Sequence, residues 1–219
     1  MNEIHGLSDR IRELLDAKNL ARERALERSR ALVRHCALAI RAVHRGERPL
    51  ALAQLGEART HAQALREELG AYPDLYFAGY CQDSLKEFAE ASIVSALVAG
   101  EHLPAPEEIG VEPAPYLNGL GEAAGELRRR CLDVIRLGNA PEAERLLGLM
   151  DEIFALLVTL DYPDALTGNL RRTTDMVRGV TERTRGDLTL SLRLEDTQRA
   201  LGALQAKLGG SEADPPPEP

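Results

Sequence analysis

Apolar residues recur along most of the chain at spacings of three and four, which is the period of an α-helix. The segment from Ser8 to Arg45 is the longest example, with Ile11, Leu14 and Val33 on one face. Alternating apolar and polar runs are missing, and aromatic residues make up only 4% of the chain. This composition favours helices over strands. It predicts an all-α bundle of about six to seven long antiparallel helices.

Glycine and proline mark the ends of the predicted helices. The predicted helices cover about 8–45, 49–69, 73–100, 114–137 and 141–160, and a last segment runs over 163–208 with a break near Gly168 or Gly186. Four prolines within residues 101–116, at the junction of the third and fourth predicted helices, predict a rigid connector with at most one helical turn. We expect one domain over residues 1–208 and a disordered, proline-rich acidic tail over 209–219.

The charge is uneven along the chain. The net charge is −8, which excludes a generally basic nucleic-acid binder, yet residues 8–48 hold 11 Lys and Arg against 6 Asp and Glu. A basic arm of this kind fits either polyanion binding or a solvated helix. Three scattered cysteines without a C-x-x-C pair favour reduced thiols. With no membrane-length apolar run and no secretory signal at the start, these features predict a cytoplasmic protein.

Two carboxylates interrupt an otherwise apolar helical run, the stretch from Ser84 to Gly100. Glu87 and Glu90 lie three residues apart and share a face of the helix. The same face continues with Val94 and Leu97, and ionised carboxylates on such a stripe are costly unless a cation meets them. The alternative is a capping box between Ser84 and Glu87, or a solvated face.

A second carboxylate pair lies on the next predicted helix. Glu122 and Glu126 share a face at a spacing of four, where like charges repel and a cation would relieve the repulsion. Small residues surround them and allow another helix or a ligand to approach closely, among them Gly119, Gly121 and Gly125. The alternative is that Glu126 forms ordinary surface pairs with Arg129 or Arg130.

Four carboxylates from two packed helices make a candidate site for a hard cation, Mg²⁺ or Mn²⁺. Because Mg²⁺ usually binds through carboxylates together with substrate phosphates, the site points to phosphodiester or phosphoanhydride chemistry. None of the five histidines follows these glutamates at a spacing of three, which argues against a di-iron site. We expect His35 and His44 to be partly buried or surface residues rather than ligands.

Three stretches resemble the translin superfamily, and specifically translin-associated factor X (TRAX) and its prokaryotic relatives. They are KEFAEA at 86–91, EIGVEP at 108–113 and YLNGLGEAAGELRRR at 116–130. The resemblance spans roughly residues 8–205. It implies a seven-helix-type bundle assembled into an octameric shell or bowl, in which translin binds single-stranded RNA and DNA. The TRAX-type subunit supplies a Mg²⁺-dependent endoribonuclease whose acidic residues line the interior.

Carried over by position, the resemblance gives Glu87, Glu90 and Glu126 as the family's acidic residues. Glu122 stands where TRAX has aspartate, and its extra methylene is expected to affect the rate of the reaction more than metal binding. The chain also lacks translin's Arg/His-rich nucleic-acid stretch. The resemblance is therefore to the catalytic subunit more than to the purely binding one.

The resulting hypothesis is a homo-oligomeric endoribonuclease that cleaves single-stranded RNA with Mg²⁺ or Mn²⁺ held by the four glutamates, with a translin-like paralogue as a further partner. The expected backbone-binding residues are Arg22, Arg24, Arg28, Arg129 and Arg130. A second hypothesis is a shell that binds single-stranded RNA or DNA without cleavage. A third is an all-α nucleotide pyrophosphohydrolase, although Lys86 and Arg129 depart from its acidic pattern.

Overall fold

The computed structural model describes residues 2–209, and every regular element in that range is a helix. The predicted all-α class is therefore confirmed. The nine helices of the described range are α1 (Asn2–His44), α2 (Arg48–Glu68), α3 (Pro73–Tyr76), α4 (Gly79–Ala99), α5 (Pro106–Ile109), α6 (Pro113–Arg136), α7 (Ala140–Leu157), α8 (Asp164–Thr167) and α9 (Leu170–Gly209). Of the tail predicted over 209–219, Gly209 is the last residue of α9, and residues 210–219 lie outside the described residues.

Most boundaries follow the glycine and proline signals, with two corrections. Gly100 and Gly168 end α4 and α8 with positive φ angles of 68° and 59°, a conformation that glycine adopts without strain. The helix predicted over 73–100 is not continuous, since α3 ends at Tyr76 and Ala78 is extended before α4 begins. The first helix starts at Asn2 rather than at Ser8.

α6 lies at the centre of the bundle and packs against α4, α7 and α9, whereas α1 packs against α2 and α4. α4 and α6 run antiparallel, since Lys86 pairs with Glu122 and Glu90 lies against Gly119. α9 runs parallel to α6, since Asn118 contacts Thr173 and Arg128 contacts Thr184. The core contains large side chains from all of these layers, including Leu32, Leu65, Phe88, Leu120, Leu127, Leu146, Met150 and Leu170.

Apolar side chains also remain on the surface at the two ends of the chain. The first turns of α1 expose Ile4, Leu7, Ile11 and Leu14 at helical spacing, and Ile4 is 74% exposed. The last turns of α9 expose Leu190, Leu194, Leu201 and Leu204 in the same way. Across residues 2–209, none of the helices combines the length and the apolar character needed to span a bilayer.

Candidate metal centre

At Gly119, α6 packs closely against the backbone of α4. A β-carbon at this position would lie 2.7 Å from the carbonyl oxygen of Lys86 and 2.9 Å from the amide nitrogen of Glu90. The glycine therefore lets α6 rest directly on the backbone of α4, as the small residues predicted. Glu122 follows one turn later on α6 and reaches the carboxylates of α4.

Three of the four predicted carboxylates form one cluster. Glu87 and Glu90 on α4 and Glu122 on α6 each offer an oxygen atom, and these oxygen atoms lie within 4.8 Å of one another. Glu87 and Glu122 are each about one-third exposed, whereas Glu90 is only 8% exposed. Glu126 is not part of this cluster, although its charge contributes to the electrostatics of Glu90.

Glu90 is the most strongly perturbed carboxyl group of the cluster. Burial is the largest cause, and the neighbouring charges of Glu87, Glu122 and Glu126 add to it, so that the pKa of Glu90 is raised to about 8. Burial also raises the pKa of Glu87, although Lys86 acts in the opposite direction. Within residues 2–209, no side chain donates a hydrogen bond to Glu90. Burial and the neighbouring carboxylates therefore favour the protonated form of Glu90 near neutral pH.

Lys86 supplies the nearest positive charge. Its Nζ donates to Glu122 Oε1 at 2.6 Å and lies 3.6 Å from Glu87 Oε1. Burial alone would lower the pKa of Lys86, but the hydrogen bond to Glu122 and the surrounding carboxylates outweigh it and raise the pKa. The ammonium group thus compensates two of the three clustered carboxylates.

α1 closes the site from a third side. Cys36 of α1 is fully buried, and the pKa of its thiol is raised by burial and by the charges of Glu87 and Glu90. Eight residues further on, the His44 side chain is 5% exposed and its Nε2 hydrogen-bonds to Glu126. This hydrogen bond is the main reason that the pKa of Glu126 is lowered. His44 Nδ1 is buried without a hydrogen-bond partner among the described residues.

The two arginines expected on α6 lie beside this histidine pair. Arg129 is 3.6 Å from Glu126 and about half exposed, so the surface pair that we considered as an alternative is present. Arg130 donates to the backbone oxygen of His44 at 3.3 Å, and its Nε is buried without a partner in the described range. Arg130 therefore links α6 to the end of α1 instead of facing solvent as a free charge.

The three arginines expected on α1 precede Cys36 by two or more helical turns and differ in their partners. Arg28 makes a bidentate ion pair with Glu68 of α2, and Arg22 pairs with its neighbour Glu23 at 2.9 Å. Arg24 is exposed and has no ion-pair partner in the part of the chain that the structure describes. Of these three, Arg24 is the one whose charge is available to an external anion.

The cluster has the chemistry that a hard divalent cation requires. Its donors are all carboxylate oxygens, which suit Mg²⁺ or Mn²⁺ better than zinc. Its buried carboxyl group, Glu90, lacks a compensating donor, so a cation would remove the cost of ionising it. Glu87, Glu90 and Glu122 fit such an ion directly, and Glu126 stands next to them with its own partner.

Comparison with known proteins bears on this arrangement. No protein-family model matches the chain. The chain is 31% identical over 173 residues to the uncharacterized protein MJ0175 of Methanocaldococcus jannaschii, which covers 78% of this chain and 76% of that protein. Its fold matches that of AfC3PO in complex with duplex RNA, with a TM-score of 0.79 and 30% identity over 85% of this chain and 96% of that chain.

Two further structures share the fold. A second crystal structure of AfC3PO gives a TM-score of 0.78 at 30% identity, covering 85% of this chain and 97% of that chain. Apo-NeC3PO gives a TM-score of 0.76 at 22% identity over 84% of this chain and 96% of that chain, which shows the common fold alone. The fold is an all-α bundle of the translin type, and the carboxylate cluster lies between two of its helices. The chain belongs to the translin superfamily, the family of the C3PO proteins.

Proposed function

We propose that this chain is a TRAX-type, metal-dependent endoribonuclease that cleaves single-stranded RNA within a homo-oligomeric shell. The observation that carries the proposal is the meeting of Glu87, Glu90 and Glu122 within 4.8 Å at the junction of two helices. The similarity to AfC3PO, a structure solved with duplex RNA, supports RNA as the ligand. Carboxylates presented by two packed helices can hold a cation next to a phosphate.

Bound Mg²⁺ or Mn²⁺ would polarise the scissile phosphate and lower the pKa of an attacking water. The chain's own residues prepare the site for this chemistry. Glu87, Glu90 and Glu122 would hold the ion through their carboxylate oxygens, with Glu90 in its ionised form. Lys86, which lies beside Glu87 and Glu122, would then be placed to contact a phosphate oxygen of the RNA. His44 and Arg129 hold Glu126 ionised at the rim of the site.

A cleavage assay tests this proposal directly. A labelled single-stranded RNA is incubated with the wild-type protein in Mg²⁺, in Mn²⁺ and in chelator, and product is expected only with a metal ion. Glu90→Gln and Glu126→Ala should each lower the rate at least about 100-fold, in line with the loss of a positioned catalytic group. Glu144→Gln is the control, because Glu144 is an exposed glutamate of α7 outside the cluster.

Wild-type cleavage by Glu126→Ala, with its oligomeric state unchanged, would refute the assignment of Glu126. RNA binding that persists in chelator, without product in either metal ion, would favour the alternative of a binding shell. Duplex RNA of the same sequence belongs in the assay as a second substrate, because AfC3PO was crystallised with a duplex.

We further propose that the functional unit is a homo-oligomer, with an octamer as the expected size. The exposed stripes on α1 and α9 support this, because contiguous apolar surface on a soluble protein marks an interaction site. Light scattering coupled to gel filtration measures the mass. Ile11→Glu combined with Leu14→Glu should lower it, and a wild-type protein that stays monomeric would contradict the proposal.

A further inference from the structure

A large groove adjoins the carboxylate cluster and shares Glu122 with it. Its volume is about 840 Å³, within the size range of small-ligand sites, and Lys86 and Glu122 form one part of its lining. The first turns of α4, α6 and α9, together with α8, form its other walls. A molecule in this groove would therefore lie next to whatever is bound at the cluster.

The far wall of the groove is held by a buried hydrogen-bond network. Asn118 of α6 is 8% exposed and donates to the backbone oxygen of Thr167 at 2.7 Å. It also accepts from the hydroxyl of Thr173 at 2.7 Å. One side chain thus ties α6 to both α8 and α9. The groove is part of the folded bundle and does not depend on a ligand to form it.

Exposed apolar side chains line the groove. Phe77 is 62% exposed, and Leu166 is 66% exposed. The chain has three phenylalanines, and Phe77 is exposed whereas Phe88 is buried. It lies at the break between α3 and α4, where the chain leaves the helix and brings the ring into the groove. An exposed ring in a preformed groove is a surface on which a flat, unpaired base can stack.

The charges in the groove distinguish a base from a phosphate. Acidic side chains outnumber basic ones along the lining, which contains Asp83, Glu112, Glu122 and Asp164 against Lys86 and Arg172. This balance repels an additional phosphate group. It offers hydrogen-bond acceptors to the amino group of a base, as carboxylates do when they accept from the N4 amino group of cytosine.

We propose that this groove binds one unpaired nucleoside of an RNA strand, with the base against Phe77 and its amino edge toward the carboxylates. The proposal rests on the proposed function, because the adjoining phosphate is the one expected at the carboxylate cluster. It gives a physical reason for a preference for single strands: a base in a duplex is stacked and paired and cannot enter the groove.

Fluorescence of 2-aminopurine tests the stacking. Single strands of about ten nucleotides, a length within the usual site sizes, carry one 2-aminopurine at each position in turn and are titrated with protein in chelator, which prevents cleavage. In at least one position, the wild-type protein should quench the fluorescence. Phe77→Ala should abolish this quenching and weaken binding about 5- to 100-fold, and Phe77→Tyr should restore both. Tyr162→Ala is the matched control, since Tyr162 is an exposed aromatic residue outside the groove lining.

Wild-type affinity and quenching in Phe77→Ala would overturn the proposal. The hydrogen-bonding part has its own test, because cytidine and uridine have the same size and differ at the amino group. A cytidine strand should bind at least about five-fold more tightly than a uridine strand, and equal affinities would refute this part. If the carboxylate variants cleave at the wild-type rate while Phe77→Ala still loses quenching, the nuclease assignment fails and the groove proposal stands. A wild-type protein that binds no single strand refutes both.

Discussion

Replacement of Gly119 by alanine should separate the two helices that hold the carboxylates. The added β-carbon would lie 2.7 Å from the Lys86 carbonyl oxygen and 2.9 Å from the Glu90 amide nitrogen. Both are backbone atoms and cannot rotate away. To reach an ordinary contact distance, α6 must move from α4 by about 0.5–1 Å. Because Glu122 follows one turn later, the cluster must open as well.

The same helix offers a control that isolates the size of this effect. Gly125 has no neighbouring atom within 4 Å of its hypothetical β-carbon. Either substitution gains about 0.8–1.0 kcal/mol of helix propensity. Only Gly119→Ala also carries the cost of overpacking, about 1–3 kcal/mol. The propensity gains cancel in the comparison, so Gly119→Ala should be less stable than Gly125→Ala by about 1–3 kcal/mol.

Thermal unfolding followed by circular dichroism measures this difference. The two variants are compared in chelator at one protein concentration, because assembly would otherwise change the apparent stability. At about 2–4 °C per kcal/mol for a chain of this size, their Tm values should differ by about 2–12 °C. Calorimetric titration with Mn²⁺ should show weaker binding to Gly119→Ala only. If Gly119→Ala is as stable as Gly125→Ala and binds Mn²⁺ equally well, the proposed contact between the helices does not control the site.

Three further predictions concern charge. Without a metal ion, Glu90 has a pKa of about 8 in the folded chain and its ordinary lower value in the unfolded chain. The free energy of unfolding should therefore fall as pH rises from about 4.5 to 8 and then level off. Chemical denaturation across this pH range measures it, and Glu90→Gln should flatten the profile. Lys86→Met should lower stability in chelator by about 1–3 kcal/mol. On addition of Mn²⁺, the Tm of this variant should rise more than the Tm of the wild type. An equal rise would contradict the role of Lys86 as a cation that competes with the metal ion. Arg24→Ala should reduce the slope of log affinity for a single strand against log salt concentration by about 0.7, as measured by fluorescence anisotropy. Arg28→Ala should change this slope less, because Glu68 already neutralises Arg28. Equal slopes for the two variants would refute the distinction.

The helical period and the proline and glycine positions were sufficient to predict the fold class and most helix boundaries. They failed at Phe77 and Ala78, where the predicted third helix is broken. No proline marks this break, and both residues are acceptable within a helix. The break depends on how the short α3 packs against α4, which a local pattern does not contain. It has a consequence for the site, since it places Phe77 in the groove.

The candidate site, like the fold, was predicted in part from the sequence. Local spacing put Glu87 and Glu90 on one face, and the small residues of α6 indicated the close approach that brings Glu122 to them. His44 was missed as a neighbour of the site, because its contact with Glu126 joins residues 82 positions apart. A histidine in a long amphipathic helix has no spacing that identifies a partner on another helix. Its position near the end of the helix was the only signal.

Without a metal ion, the charges of the glutamates are compensated in two different ways. This difference determines how metal affinity should respond to pH. Lys86 compensates Glu122, and His44 holds Glu126 ionised through a hydrogen bond that lowers its pKa. Glu90 has no ion pair or hydrogen-bond donor among the described residues, and burial favours its protonated form. Lys86 must release Glu122, and Glu90 must lose its proton, before the clustered carboxylates can face a divalent cation together. Metal affinity should therefore rise with pH until Glu90 is ionised, and the ionisation of Glu126 should not contribute to that rise.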